Sequence, residues 1–280
     1  MHRSILAACW ILAFPGFVQP ALGQGASRPL RILVANDDGF DAPGLAALVD
    51  SLRPLGRIFV AAPREQQSGT GHGITYRDPL MVRRVLNDDS LPWFAVSATP
   101  ATTVRLALEQ LMDSLPDLVV SGINTGENIG LSAWLSGTVA AAREAAFLRL
   151  PAIAVSLEGS DLVDFHAAAG FTRRFIERLR NEGRLRAPLL LNVNVPAGVA
   201  GVLPVVRVTR LSLVRSSQRY DRRTTPNGQL YFWDNWQAPT EDVEGTDLYA
   251  FMHGSISVTP LSIDQTAADQ MAGLKSLERP

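Results

Sequence analysis

The chain has 280 residues, of which 46% are hydrophobic and 19% charged, and its formal net charge is −1. That composition gives an ordinary globular protein with a substantial core, and it excludes a disordered, collagenous or disulfide-stapled chain. Balanced charge without a long basic run excludes a nucleic-acid polymer as the main partner, while leaving room for a local site for one phosphate.

Residues 1–25 read as a signal peptide. Arg3 supplies the positive start, Ile5 to Phe14 an apolar run, and Ala21-Leu22-Gly23 the small residues a signal peptidase needs. The run is too short for a permanent membrane anchor. The expectation is therefore an exported protein, periplasmic or secreted. Cys9 is the only cysteine and lies in this leader, so the mature chain has no disulfide, thiol nucleophile or Cys-zinc site.

Leu30 to Ala35 is an apolar, β-branched run that stops at Asn36-Asp37-Asp38-Gly39. A helix follows, with Asp41 as its cap, Pro43 in its first turn, and Leu45, Leu48, Val49 and Leu52 at helical spacing. Ile58 to Ala61 predicts a second strand ending at Pro63, and 64–75 a Gly/Ser/Thr-rich loop. Phe94 to Val96 predicts another strand, then a helix from about Ala101 to Met112. Leu118 to Val120 predicts a buried strand ending at Ser121-Gly122-Ile123-Asn124. After a Gly/Asn loop, Ser136-Gly137-Thr138 opens an alanine-rich helix to about Leu148. Ala152 to Leu157 and Leu189 to Val195 read as strands, with a helix around 161–180 between them.

Beyond Pro196 the pattern changes. The segment 202–237 carries β-branched runs, aromatics and the turn Pro226-Asn227-Gly228, which predicts an antiparallel hairpin or arm. Ile256 to Thr259 returns as a last strand. The alternation of continuous apolar strands with helices predicts an α/β fold with a doubly wound, mostly parallel sheet and a C-terminal β-hairpin arm. Residues 26–280 form one domain in this reading.

The chemistry lies in the polar loops. In a doubly wound sheet ligands bind outside the carboxyl ends of the strands, so the loops holding Asp37-Asp38, Ser68 and Asn124 can converge. Their donors are all oxygens, which suit Mg²⁺, Mn²⁺ or Ca²⁺. The competing reading of Asp37-Asp38-Gly39 is a plain turn with a helix cap. Ser136-Gly137-Thr138 at a helix start offers backbone N–H groups to a phosphate, or is an ordinary N-cap. His72, between glycines, is either a general acid or an exposed loop residue.

Six ordered stretches resemble the SurE survival-protein family: Ile32 to Gly44, Ala62 to Thr75, Pro116 to Gly130, Ser136 to Ala142, Asn192 to Pro196 and Glu244 to Leu261. The resemblance implies a Rossmann-like phosphatase domain hydrolysing nucleoside 5′-monophosphates, with 3′-monophosphates as a further substrate. It implies one divalent cation per subunit, Mg²⁺ or Mn²⁺, on Asp37, Asp38, Ser68 and Asn124. It also implies phosphate contacts at Asn128, Ser136, Gly137 and Thr138, and a homodimer or homotetramer with exchanged C-terminal segments. The family default is a cytoplasmic protein, against the leader here. The usual Gly-Thr-Pro-Ala-Asp-Cys is replaced by Ala98-Thr99-Pro100-Ala101-Thr102-Thr103. The rival to a phosphomonoesterase is an exported nucleotide- or phosphate-binding protein without turnover.

Overall fold

A computed structural model describes residues 28–85, 90–159, 164–197 and 204–278. Residues 1–25, expected from the sequence to be a signal peptide, lie outside the described residues. In chain order the elements are β1 (Leu30–Ala35), α1 (Pro43–Leu52), β2 (Gly56–Pro63), β3 (Val82–Arg84), β4 (Trp93–Val96) and α2 (Pro100–Leu106). There follow β5 (Leu118–Thr125), α3 (Gly137–Phe147), β6 (Ala152–Leu157), α4 (Phe165–Asn181), β7 (Leu190–Val195) and β8 (Val206–Val208). The chain ends with β9 (Ser217–Thr224), β10 (Leu230–Gln237), α5 (Asp247–Met252), β11 (Ile256–Pro260) and α6 (Ala268–Leu274).

The main sheet has nine strands in the order β3-β4-β2-β1-β5-β6-β7-β11-β8. From β4 to β7 every neighbouring pair is parallel. β3 and β11 are antiparallel to β4 and β7. The order matters for function. From β1 the chain winds outward through β2 to one side, then returns to β5 and winds to the other. The crevice lies where the winding reverses, between the carboxyl ends of β1 and β5.

Both faces are covered, as continuous apolar strands require. On one face Leu45, Leu48 and Leu52 of α1 and Phe171 and Ile176 of α4 pack on Ile32, Val34, Val120 and Ile153. On the other, Val139, Ala142 and Ala145 of α3 and Val104 of α2 pack on Leu33, Ala35, Val119 and Ala154. Alternate residues of β1 thus serve opposite layers, the period of two expected of a strand.

Several boundaries depart from the sequence reading. Helix α1 is capped at Ala42 with no side-chain cap bond, so Asp41 does not play that part; Pro43 starts the helix unaided. β5 runs on to Thr125 with a register shift between Ser121 and Asn124, so the polar residues expected in a loop are strand residues. The helix expected over 101–112 is α-helical only to Leu106 and continues as a π turn through Leu111. The self-paired hairpin is narrower than 202–237: it comprises β9 and β10, while β8 joins the main sheet beside β11.

Candidate active site

β1 delivers the chain into a tight turn. Asn36 is fully buried and its Nδ2 donates to the Gly39 carbonyl at 2.8 Å. Gly39 sits at φ +111°, a left-handed conformation that favours glycine. The turn sends Asp37 inward, where it is 3% exposed, and leaves Asp38 half-buried at the opening.

Three elements close on this pair. The Gln67 backbone N–H donates to the Asp37 carbonyl at 2.7 Å, which fastens the loop carrying Ser68 to the end of β1. Thr138 Oγ1 donates to Asp37 Oδ1 at 2.5 Å. A methyl group at Gly137 would lie 2.7 Å from Asp37 Cβ, so only glycine lets α3 begin this close. On the β5 side the Thr125 amide acts on Asp38. Next to it, Asn124 Nδ2 donates to the Gly126 carbonyl at 2.6 Å, which commits the nitrogen of that side chain and leaves its oxygen as an acceptor.

The electrostatics follow from this packing. Burial pushes the Asp37 carboxyl up, partly offset by the Thr138 hydroxyl and by nearby amides including those of Thr138 and Gly137. Burial also pushes Asp38 up, to about 6, and the adjacent Asp37 carboxylate adds to the rise. No cation among the described residues relieves either group. Two desolvated carboxylates beside neutral oxygens fit a hard divalent cation. Among the described residues no three His, Cys, Asp or Glu side chains gather. Ser68, exposed in its loop, and Asn124 would therefore complete the set with neutral oxygens.

The remaining residues singled out from the sequence are placed as follows. Ser136 is the N-cap of α3, its Oγ accepting from Val139 N at 3.1 Å. Gly137 and Thr138 face Asp37, as described above. Asn128 is a buried buttress: its Nδ2 donates to Ser156 Oγ at 2.8 Å, its amide to Asn194 Oδ1, and its carbonyl accepts from Asn192 Nδ2. His72 is engaged with α3. Its Nε2 lies 2.8 Å from Glu144 Oε2, and the other Glu144 oxygen accepts from Arg105 Nε at 2.7 Å.

Sequence reasoning passed over several residues that hold the site. Asn192, Asn194 and Ser156 are buried polar residues in otherwise apolar strands, and that exception was the signal. Asp247 is fully buried; its two oxygens accept from the amides of Gly130 and Ser212, pinning the end of the loop that follows β5. Glu144 and Arg105 carried no local motif, because their partner His72 is distant in sequence.

The family model described as Survival protein SurE matches residues 32–218, a span that holds both aspartates, Ser68, Asn124 and the start of α3. The chain belongs to the SurE family. It is 44% identical over 252 residues to 5′-nucleotidase SurE 1 of Thermus thermophilus, covering 89% of this chain and 98% of that one. It is 42% identical over 249 residues to 5′-nucleotidase SurE of Rhodopirellula baltica, covering 88% and 98%. The crystal structure of SurE from Aquifex aeolicus superposes with a TM-score of 0.78 at 35% identity, over 89% of this chain and 99% of that one. The doubly wound sheet and the antiparallel hairpin are thus features of a SurE fold.

Proposed function

We propose that this SurE chain is a divalent-metal-dependent phosphomonoesterase that hydrolyses nucleoside monophosphates to nucleoside and phosphate. The observation that carries the reading is the pair Asp37 and Asp38, desolvated and without a cationic partner among the described residues, at the reversal point of the sheet. The printed names of the relatives, 5′-nucleotidase, agree with it.

Asp37, Asp38, Ser68 and Asn124 would hold the cation, Mg²⁺ or Mn²⁺. When bound, it would neutralise phosphate charge and make a water more acidic. The chain's own residues supply the rest. Thr138 and Gly137 fix Asp37 so that its carboxylate is set before substrate arrives. Asp38, nearer the opening, can accept the proton of a water attacking phosphorus; the ester P–O bond breaks, and the departing nucleoside oxygen takes up a proton from solvent. The N-terminus of α3 adds its positive dipole end behind the phosphate. The contact of His72 with Glu144 supports a role in steadying the loop that carries Ser68, beside the general-acid role read in the sequence.

Turnover of AMP by the mature chain with Mn²⁺, abolished by EDTA and restored by Mn²⁺, is the expected result. Binding of AMP without phosphate release would support the non-catalytic rival instead.

Two further proposals rest on the sequence. The protein is exported, because Arg3, the apolar run Ile5 to Phe14 and Ala21-Leu22-Gly23 form a leader. Native protein should start near Gln24 by mass spectrometry, and an intact leader in a cytosolic fraction would overturn this. The protein is also a dimer or tetramer, supported by the exposed aromatic hairpin.

A further inference from the structure

Arg143 lies on α3 but on a different side from Thr138. Five residues of α-helix separate them by about 8 Å of rise and about 140° of rotation. Arg143 is only 6% exposed. Its guanidinium sits over the Trp134 ring at 5.1 Å, and its Nη1 lies 3.5 Å from His72 Nδ1, too long for a strong hydrogen bond. Among the described residues no carboxylate pairs with it. Its sequence neighbour Glu144 has both oxygens committed to His72 and Arg105. Burial acts on Arg143 alone and lowers its pKa.

A buried charge without a counter-charge is costly, and native proteins pair such groups. What Arg143 does face is a cavity of about 480 Å³, also lined by Trp134, Thr209, Arg210, Leu261, Asp264 and Gln265. The size is that of a small-molecule site. Arg210 brings a second guanidinium on a fixed backbone, since its N–H donates to the Gly245 carbonyl and its carbonyl accepts from Asp247 N. The negative groups here are Asp264, in the cavity wall, whose Oδ1 accepts from Thr266 N at 2.9 Å, and Asp242, whose carboxyl the Arg210 charge helps to hold down. Among the described residues neither forms an ion pair with Arg143.

We propose that this cavity is a second phosphate-binding site, separate from the aspartate centre, with Arg143 as its buried anchor and Arg210 as its outer clamp. Guanidinium groups suit phosphate because their planar donors match its oxygens two at a time. The ligand is inorganic phosphate or the phosphate of a mononucleotide. Trp134, 41% exposed, gives the cavity a partly open aromatic wall against which a base can rest.

The test uses the full mature chain carrying Asp38→Asn, in EDTA, so that the metal centre is silent. Orthophosphate and AMP are titrated separately by calorimetry and by tryptophan fluorescence. Binding is expected, weakened at least about 10-fold by Arg143→Met and by Arg210→Gln, as loss of a charged hydrogen bond implies. Arg210 is exposed, so its variant folds even if Arg143→Met does not. AMP binding without orthophosphate binding assigns the site to nucleotides; binding of both assigns it to the phosphate alone. Absence of binding by either probe, or binding that both variants leave unchanged, overturns the proposal. Hydrolysis of AMP by the unsubstituted chain with Mn²⁺ is read separately, so failure of the nucleotidase reading is distinguishable from failure of this one.

Discussion

Asp37 and Asp38 are neighbours with different surroundings: one buried under Thr138, the other half-open. Replacing either carboxylate with an amide keeps the shape and removes the charge that would hold the cation. Asp37→Asn and Asp38→Asn should each stay folded and lose activity at least ~100-fold; circular dichroism and AMP turnover check both halves. The aspartate pair was legible because adjacent carboxylates at a strand end are conspicuous. The role of α3 was less so. Read as a string, Ser136-Gly137-Thr138 offers donors to an anion; in the fold Thr138 Oγ1 donates to Asp37. Thr138→Ala should therefore weaken Mn²⁺ binding, by about 10-fold for a lost hydrogen bond to a charged group, and not phosphate binding alone. A Mn²⁺ titration followed by activity measures it. Glu144 makes a different test. Burial pushes its carboxyl up, but hydrogen bonds from His72 and Arg105 more than compensate and hold it below the usual value of 4.5. A depressed carboxyl stabilises the fold above its unfolded pKa, and that stability is lost as pH falls through the folded value. Glu144→Gln should thus melt earlier at pH 7, by about 2 kcal/mol for its charged hydrogen bonds, and the gap from the parent should close below about pH 4.5.

At the scale of elements, spacing succeeded where a run was long or apolar. β1, β6, β7 and the amphipathic α1 lie close to where periodicity placed them. It failed where three residues make a strand, as in β3 and β8, because three residues carry no period. It failed too at β5, whose Ser121, Gly122 and Asn124 look like loop residues but continue the strand. Close approach is a further property that no window of sequence displays. A methyl group at Gly44 would lie 2.2 Å from the Ile123 carbonyl, so α1 rests directly on the backbone of β5. Gly44→Ala should cost about 1–3 kcal/mol through overpacking, seen as a lower melting temperature. It should also reduce activity, since Ile123 precedes Asn124. Unchanged melting would show that α1 moves away freely.

At the scale of the molecule, the hairpin stands apart from the sheet. Among the described residues β9 and β10 pair only with each other, and Leu230, Phe232, Trp233 and Trp236 remain exposed. An isolated two-stranded hairpin is marginal in water, and exposed aromatic surface on both of its faces calls for a partner. Light scattering of the mature chain at micromolar concentration should report a dimer or tetramer. Deleting 217–237 should give monomer or aggregate, whereas a compact monomer of the intact chain would refute the exchange. The arm was legible from Pro226-Asn227-Gly228 and the aromatics; its start was not, because Val206 and Val208 read equally well as arm or sheet edge.

A hairpin that pairs, among the described residues, only with itself would also set an order of events in time if it packs on a second chain as proposed. The sheet can assemble by itself, since its strands and covering helices are all intramolecular. In the proposed oligomer the arm settles only after two chains have met. Refolding should accordingly show a first phase whose rate ignores protein concentration and a second whose rate rises with it. Secondary structure would report the first phase and burial of Trp233 and Trp236 the second.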